Sequence, residues 1–197
     1  VRAGNSIVVP TPAYMPFLSV PRLYGVEVLE IPMLCAGAGE SSGRNDEWLF
    51  DFDAIERAFA AGCHAFVLCN PHNPIGKVLT LAEEQRLCEL AERYDVRIFN
   101  DEIHAPFVYQ GHTHVPFASI NRQTAMQAFT STSASKSFNI PGTKCAQVIL
   151  TNPDDLELWM RNAEWSEHQT ATIGAIATTA AYDGGAAWFE GVMAYIE

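Results

Sequence analysis

The chain has 197 residues, of which 48% are hydrophobic and 18% charged, a balance typical of a folded globular domain and not of a disordered chain. Its 12 Lys and Arg against 23 Asp and Glu give a formal net charge of −11, which argues against a nucleic-acid-binding surface. No apolar run approaches the roughly 20 residues that cross a bilayer, and the opening VRAGNSIVVP lacks the pattern of a signal peptide. These features predict a soluble cytoplasmic protein whose partner is a small molecule or a protein, with neither nucleic acid nor a membrane.

The cysteine pattern indicates ordinary packing in a reducing compartment. The cysteines are odd in number and form no C-x-x-C pair, so neither a disulfide framework nor a zinc ribbon is expected. Most of them have apolar neighbours and are predicted to pack as small hydrophobic residues. They are Cys35, Cys63, Cys69, Cys88 and Cys145.

Short apolar runs bounded by turn residues predict the strands. In chain order these runs cover residues 6–9, 26–31, 65–69, 96–99, 129–131 and 146–150. Residues 35–51 are small, polar and rich in glycine, and this composition predicts a loop.

Capping signals predict where two of the helices begin. Asp53 is predicted to cap the first, with Glu56 three residues later as its capping-box partner and Gly62 just after its end. Thr80 is predicted to cap the second, with Glu83 as its partner. The second helix carries an apolar stripe at helical spacing, formed by Leu87, Leu90, Ala91 and Tyr94.

The last part of the chain is predicted to be helical from Pro153 to Glu197, with a break at residues 183–185. Strands that alternate with helices predict an α/β fold of three layers, in which helices cover both faces of a mostly parallel sheet. Ligands bind such sheets at the carboxyl ends of the strands. Chemically distinctive residues do follow the strands, at Tyr14 and at residues 70–76, 101–104 and 133–136.

Four of these residues have the chemistry of a pyridoxal phosphate (PLP) pocket. Asp101 is an acid at the tip of a buried strand, where a carboxylate needs a cationic or hydrogen-bonding partner. Lys136 lies among hydroxyls and small side chains in S-A-S-K, whereas Asn73 and Tyr14 are each held between two prolines. An acid that keeps the pyridine nitrogen protonated makes the ring an electron sink. The lysine amine must be partly neutral to act as a nucleophile and base, and burial is expected to provide that.

Four motifs, in order along residues 8–150, strengthen this interpretation. They are TPAYMPF, LCNPHNPIGKV, NDEIHAPF and SASKSFNIPG. Together they resemble fold-type I PLP enzymes of the class I/II aminotransferase superfamily, and within it the MalY/PatB branch of cystathionine β-lyases.

The resemblance implies a role for each matching residue. Lys136 would be the Schiff-base lysine and the acid/base at Cα, and Asp101 would pair with the pyridine nitrogen. Asn73 would donate a hydrogen bond to the phenolic oxygen of the ring, and His104 occupies the place of a tyrosine that binds the same oxygen in many aminotransferases. Tyr14 would stack on one face of the ring.

The resemblance also implies contacts to the other ring face and to the phosphate. Ile103 would pack against the second face of the ring, and Ser133 and Ser135 would bind the phosphate. Lys144 departs from the family pattern, in which most aminotransferases carry an arginine at this position. A lysine can supply a point charge to a phosphate but not the bidentate fork of an arginine.

A metal site is the alternative interpretation of some of these residues. Asp101 and Glu102 could bind Mg²⁺ at a strand end, but no G-x-x-x-x-G-K-[ST] motif precedes them. His104, His112 and His114 could join Asp101 in a metal site. His112 and His114 lie in a polar loop, where histidines are usually solvated, so no metal is expected.

The resemblance implies carbon–sulfur β-elimination, in which cystathionine or a cysteine conjugate gives a thiol, pyruvate and ammonia. A PLP-dependent aminotransferase remains an alternative, and so does the PLP-sensing, aminotransferase-like domain of a transcriptional regulator. A further alternative is that the chain by itself binds no cofactor. The substrate would be an amino acid, and the full-length protein would be a homodimer.

The family pattern also implies that the chain is truncated at both ends. Residues 1–165 would be the central part of the large PLP-binding domain, and residues 166–197 a helical segment leading toward a small C-terminal domain. Because that domain carries the arginine that grips the substrate carboxylate, the isolated chain is expected to be inactive.

Overall fold

A computed structural model describes residues 4–36 and 47–197. The chain divides into two compact units, Val1–Phe99 and Asn100–Glu197. The boundary falls within strand β6 (Arg97–Asp101). No helix among the described residues combines the length and the apolar character that a bilayer crossing would require.

The first unit is a parallel sheet with helices. Its elements in chain order are β1 (Ser6–Thr11), α1 (Met15–Leu23), β2 (Glu27–Pro32), β3 (Leu34–Ala36), β4 (Glu47–Leu49), α2 (Phe52–Ala60), β5 (Ala65–Cys69), α3 (Leu81–Arg93) and the start of β6 (Arg97–Asp101). Strand β1 lies between β2 and β5 and is parallel to both, in register from Ser6↔Glu27 to Thr11↔Pro32 on one side and at Val8↔Phe66 on the other.

The core of this unit follows from the continuous apolar strands. Every residue of β5 is buried, and Val8 and Phe66 are fully inaccessible. A strand that is apolar on both faces must be covered on both. Ile55 and Phe59 of α2 and Leu87 of α3 are also buried, which explains why both helices are amphipathic.

The second unit contains the remaining elements. In chain order they are the end of β6, α4 (Arg122–Gln127), β7 (Ala128–Thr132), α5 (Ala134–Ser137), β8 (Gln147–Leu150), α6 (Pro153–Asn162), α7 (Glu164–His168), α8 (Thr172–Gly184) and α9 (Ala186–Ile196). Strand β7 pairs antiparallel with β8, from Phe129↔Leu150 to Thr132↔Gln147. The α/β class with a mostly parallel sheet, as predicted, is confirmed, with β8 as an antiparallel addition.

Several predicted elements are confirmed. Helix α3 begins at Thr80 with the full capping box: the Glu83 amide donates to the Thr80 hydroxyl at 3.3 Å, and the Thr80 amide donates to the Glu83 carboxylate at 2.8 Å. Helix α6 begins at Pro153, and α8 and α9 are separated at Gly185. Cys63, Cys69 and Cys88 are buried, whereas the other two cysteines are half-buried.

Two predictions about residues 35–53 are wrong. The predicted loop contains strand residues at both ends, because β3 pairs with β4 and sets Cys35 opposite Trp48; residues 37–46 lie outside the described residues. The cap of α2 is Asp51, not Asp53: its carboxylate accepts a hydrogen bond from the Ala54 amide at 2.9 Å. A start at Phe52 lets the helix bury that ring, and this burial outweighs the local capping signal of Asp53.

Candidate functional site

The site in the second unit begins at the carboxyl end of β6, where Asp101 is the last strand residue. The strand extends two residues beyond the predicted 96–99, so that Asp101 is inside it. The carboxylate of Asp101 accepts a hydrogen bond from the Ile103 amide at 3.1 Å. Burial raises the pKa of Asp101; the hydrogen bond from Ile103 and the charge of Lys136 offset this rise only in part, and the charge of Glu102 adds to it.

The turn after Asp101 carries two further predicted residues. The amide of Ala105 donates to the Glu102 carbonyl at 2.9 Å, and that of Phe107 donates to the His104 carbonyl at 2.9 Å. His104 is half-buried, and its pKa is lowered, first by burial and then by the charge of Lys136. The ring therefore stays neutral at neutral pH and can donate one hydrogen bond while accepting another.

The short helix α5 follows β7 and presents the predicted serines and lysine. Ser133 is its N-cap: the hydroxyl accepts from the Ser135 amide at 3.0 Å and donates to the Cys145 carbonyl at 2.6 Å. The Ser135 hydroxyl lies 2.9 Å from that of Ser133. The bond to Cys145 joins the start of α5 to the segment before β8. Ser133 itself is buried.

Lys136 differs from the expectation in one respect. Ala134 and Ser137 are the residues of α5 that turn inward and are buried, whereas Lys136 is exposed, so the expected burial of the lysine is wrong. Throughout residues 4–36 and 47–197, its amine takes part in no hydrogen bond or ion pair. Its charge nevertheless lowers the pKa of both Asp101 and His104. The three groups therefore lie close enough to interact electrostatically.

A cavity of about 670 Å³ lies in this unit. Four of the predicted residues line it, namely Ile103, Ser133, Ser135 and Lys144. Trp159 and Gln169 contribute further lining from the helical segment. The cavity thus brings together the two serines for which the resemblance implied a phosphate and Lys144, which departs from the family pattern.

Lys144 has an unusual backbone conformation. It follows the 3₁₀ turn Pro141–Thr143 at φ 52° and ψ 54°, in the left-handed region. A non-glycine residue there is strained and often belongs to a functional site. The side chain is exposed at the cavity.

Tyr14 and Asn73 lie in the first unit. Tyr14 precedes α1, is 45% exposed and makes an edge-to-face contact with Phe17, with ring centroids 5.6 Å apart. Asn73 is half-buried in the loop between β5 and α3. Its side-chain amide makes no hydrogen bond to any residue that the structure describes, so it is available to a ligand.

The loop that carries Asn73 is clamped by residues that the sequence analysis did not single out. Asn70 is buried; it accepts from the Leu79 amide at 3.0 Å and donates to Glu84 at 2.7 Å. The Nε2 of His72 donates to the Pro12 carbonyl at 2.9 Å, two residues before Tyr14. In the sequence, the sole indication of these bonds was the presence of the polar residues Asn70 and His72 within the motif LCNPHNP.

His114 was expected to be solvated in its loop, and this expectation is wrong. Its side chain is only 8% exposed, and its Nε2 lies 3.8 Å from the carboxylate of Glu102. Among the described residues there is no group of three or more His, Cys, Asp or Glu side chains that could hold a metal ion. His114 and Glu102 therefore form a buried pair next to Asp101.

The chain is similar to known proteins along most of its length. The family model "Aminotransferase class I and II" matches residues 1–187. The chain is 36% identical over 184 residues to a cystathionine beta-lyase of Corynebacterium glutamicum, covering 93% of this chain and 46% of that protein. It is 31% identical over 144 residues to kynurenine–oxoglutarate transaminase 3 of Mus musculus, covering 73% of this chain and 31% of that protein.

Solved structures share the fold along the whole chain. Cystalysin of Treponema denticola, which contains pyridoxal 5'-phosphate, superposes with a TM-score of 0.86 at 27% identity, covering 98% of this chain and 48% of that one. A PLP-bound C–S lyase of Staphylococcus hominis gives a TM-score of 0.86 at 25% identity, covering 99% of this chain and 46% of that one. The chain spans about half the length of the curated lyases that it matches. It belongs to the class I and II aminotransferase family.

Proposed function

We propose that this chain is the cofactor-binding part of a PLP-dependent carbon–sulfur β-lyase. The substrate is cystathionine or another cysteine conjugate, and the products are a thiol, pyruvate and ammonia. The observation that carries the proposal is the half-buried Asp101 carboxyl at the end of β6, within the field of the Lys136 amine. The names of the similar proteins, cystathionine beta-lyase and C–S lyase, support the choice of reaction.

The residues present fit PLP. Burial raises the pKa of Asp101, and a cation such as a pyridinium N–H would lower it again and restore the carboxylate. The cavity of about 670 Å³ lies in the range of small-ligand sites. The Ser135 hydroxyl and the Lys144 ammonium are suited to a phosphate, whereas Ser133 would have to exchange its hydrogen bond to the Cys145 carbonyl for one to the phosphate.

Each residue then has a task. The Lys136 amine, exposed and unpaired among the described residues, would bond the cofactor carbonyl and, once the substrate amine has displaced it, would take the proton from the substrate Cα. PLP, when bound, supplies the electron sink for this step. The Cβ–S bond would then break, with the sulfur taking the electron pair and a proton, and water would convert the remaining three-carbon part of the substrate to pyruvate and ammonia. The His104 ring, whose pKa is lowered, would be neutral and would hold the phenolic oxygen by a hydrogen bond.

The finer roles of the other residues are part of the same proposal. Ile103 packs on one ring face and Tyr14 on the other, and Asn73 donates to the phenolic oxygen. Ser133, Ser135 and Lys144 bind the phosphate. In the full-length gene product, residues 1–165 belong to the large domain and residues 166–197 lead to a small domain. That product is a cytoplasmic homodimer.

A transaminase is the second candidate, since the kynurenine–oxoglutarate transaminase of Mus musculus is similar over 144 residues. Both reactions begin with removal of the Cα proton by the same lysine. They differ in whether a group leaves Cβ or the proton returns to the cofactor carbon. The residues that would decide this contact the substrate, and the geometry of the described residues serves both.

One experiment separates the two. The purified full-length gene product is incubated with cystathionine and, in a second reaction, with an amino acid and a 2-oxo acid. Pyruvate and free thiol in the first reaction support the lyase. A new amino acid in the second reaction, without thiol in the first, supports the transaminase. Absence of both products, with no PLP bound, would refute the proposal.

A further inference from the structure

Glu102 lies near the start of the turn 101–107, between Asp101 and Ile103. It is 7% exposed. Its amide donates to the Ser131 carbonyl of β7 at 2.9 Å, and its carbonyl accepts from the Ala105 amide at 2.9 Å. The main chain of Glu102 therefore fixes the turn to the neighbouring strand and closes it upon itself.

The side chain of Glu102 adds contacts to both sides of the following loop. One carboxylate oxygen, Oε1, accepts from the Asn100 amide group at 2.7 Å and from the Phe117 main-chain amide at 2.9 Å. The other, Oε2, lies 3.8 Å from Nε2 of His114. One buried carboxylate thus ties β6 to residues 114–117, which end the loop that starts at the turn.

The charge of Glu102 is supported by these contacts. Burial alone would raise the pKa of Glu102, but the nearby His114 ring and the hydrogen bonds from Asn100 and Phe117 lower it below its ordinary value. The ionised carboxylate accepts two hydrogen bonds, from Asn100 and Phe117, and has the His114 ring beside it at 3.8 Å, beyond hydrogen-bond distance. A buried carboxylate held in this way is an anchor, because moving it would leave two buried donors without this acceptor.

We propose that Glu102 is a positioning residue for the cofactor: by anchoring the turn 101–107, its carboxylate holds Asp101, Ile103 and His104 in place. This inference rests on the proposed function, since those three residues are its proposed PLP contacts. Glu102 itself touches none of the reacting atoms. It acts by keeping the turn in one conformation before the cofactor arrives, so that binding does not have to order it.

Matched variants of the full-length gene product test this role. Glu102→Leu removes all side-chain acceptors, whereas Glu102→Gln keeps an oxygen for Asn100 and Phe117 and presents its NH₂ group to His114. The control is Asn152→Ala, which removes buried hydrogen bonds to Met126 and Asp154 in the same unit. Should Glu102→Leu fail to fold, Glu102→Asp takes its place, because it keeps the charge but is one methylene too short to reach both donors.

Two readouts are measured. The first is the dissociation constant for PLP, by titration of cofactor-free protein: we expect Glu102→Leu to weaken binding about tenfold or more, and Glu102→Gln and Asn152→Ala to stay within about threefold. The second is hydrogen exchange in cofactor-free protein at the amides of Ile103, Ala105 and Phe107, which should become faster in Glu102→Leu only.

The outcomes distinguish the inference from the proposed function. If the wild-type protein binds no PLP, the proposed function fails, while the exchange experiment still reports whether Glu102 holds the turn. If the wild type binds PLP and Glu102→Leu binds it equally well, the positioning role is overturned. The role is also overturned if Asn152→Ala weakens binding to the same degree, or if Glu102→Gln is as weak as Glu102→Leu.

Discussion

The carboxylate of Asp101 accepts its hydrogen bond from the main-chain amide of Ile103, two residues further along the chain, at 3.1 Å. This bond satisfies one oxygen, and nowhere in the described ranges 4–36 and 47–197 does the carboxylate form an ion pair. Burial raises its pKa, so the folded protein holds an acid that is costly to ionise. Such an acid is suited to a cationic ligand.

Replacing Asp101 by an uncharged residue should raise the stability of the cofactor-free protein and weaken its binding of PLP. Because the pKa of Asp101 is raised above its ordinary 3.8 in the folded state, ionisation of Asp101 costs stability, fully above the folded-state pKa and progressively less as the pH falls from there to 3.8. We therefore expect Asp101→Asn, whose oxygen can still accept from Ile103, to raise the melting temperature of cofactor-free protein at pH 7. The same variant should bind PLP about tenfold more weakly or worse, because an amide cannot pair with a pyridinium.

Thermal melts and PLP titrations of the same preparations check this expectation. Asp183→Asn, an exposed acid of the second unit, is the control and should change neither quantity. A lower melting temperature together with unchanged affinity for PLP would contradict the role of Asp101.

Replacing Lys136 should leave stability nearly unchanged and abolish the bond to the cofactor. Because its side chain is exposed and has no partner in the part of the chain that the structure describes, Lys136→Ala should change the free energy of unfolding by less than about 0.5 kcal/mol. The visible absorbance that PLP acquires in a Schiff base should vanish, and lyase turnover should fall roughly 10³-fold. Spectra and pyruvate release measure these effects, with Arg122→Ala, which removes an exposed cation of the second unit, as the control. Retention of the band in Lys136→Ala would remove Lys136 from the mechanism.

Local signals in the sequence predicted the elements whose stabilising contacts are themselves local. The Thr80–Glu83 capping box and the start of α6 at Pro153 depend on neighbours within one turn. The N-cap Asp51 was missed, because burial of Phe52 decided where α2 begins, and burial is a property of the packed chain. The fold class could be predicted because apolar strands alternated with amphipathic helices.

The site could be predicted only in part, and for a similar reason. The positions of Asp101 and Ser133 at strand ends follow from the pattern, and four predicted residues do line one cavity. The exposure of Lys136 depends on which side of the short α5 faces inward. The contact of His114 with Glu102 crosses an irregular loop, where no periodicity connects the two residues.

The left-handed backbone of Lys144 makes a glycine substitution informative. Left-handed backbone costs a non-glycine residue roughly 1–2 kcal/mol, whereas glycine pays an entropic cost of about 0.5–1 kcal/mol. We expect Lys144→Gly to stabilise the fold by about 0.5 kcal/mol and to weaken PLP binding several-fold through loss of the ammonium. Urea unfolding and PLP titration measure the two effects.

Asn139 provides the control, since its φ is 53° and it does not line the cavity. Asparagine tolerates the left-handed region, so Asn139→Gly should change stability less and leave PLP binding unchanged. Equal effects of the two substitutions on PLP affinity would rule out a specific role for Lys144.

The buried pair of Asn70 and Glu84 should stabilise the first unit. Glu84→Leu removes the acceptor of the 2.7 Å hydrogen bond from Asn70, and a buried amide donor is left without it. We expect a loss of about 2 kcal/mol in the free energy of unfolding. Glu84→Gln keeps an acceptor and should lose less, and Glu89→Leu, at an exposed position of the same helix, should lose less than about 0.5 kcal/mol. Equal stability of Glu84→Leu and Glu89→Leu in urea would show that the pair is not stabilising.

The buried His72 should make stability depend on pH. Its pKa is lowered from the ordinary 6.5, chiefly by burial and also by the charge of Lys77, although the Pro12 and Cys69 carbonyls act against this. As the pH falls below 6.5, the unfolded chain takes up a proton that the folded chain does not, so stability is lost between 6.5 and the lower pKa of the folded state. Above 6.5 the effect vanishes, because both states are neutral.

His104 has a lowered pKa as well and contributes with the same sign. We therefore expect the melting temperature to fall as the pH is lowered through this window, and each of His72→Gln and His104→Gln to reduce the slope. His112→Gln, at an exposed position, should leave the slope unchanged. Melting curves of the four proteins across the window measure this dependence. If the slope is as steep in His72→Gln as in the wild type, the protonation of His72 is not coupled to folding.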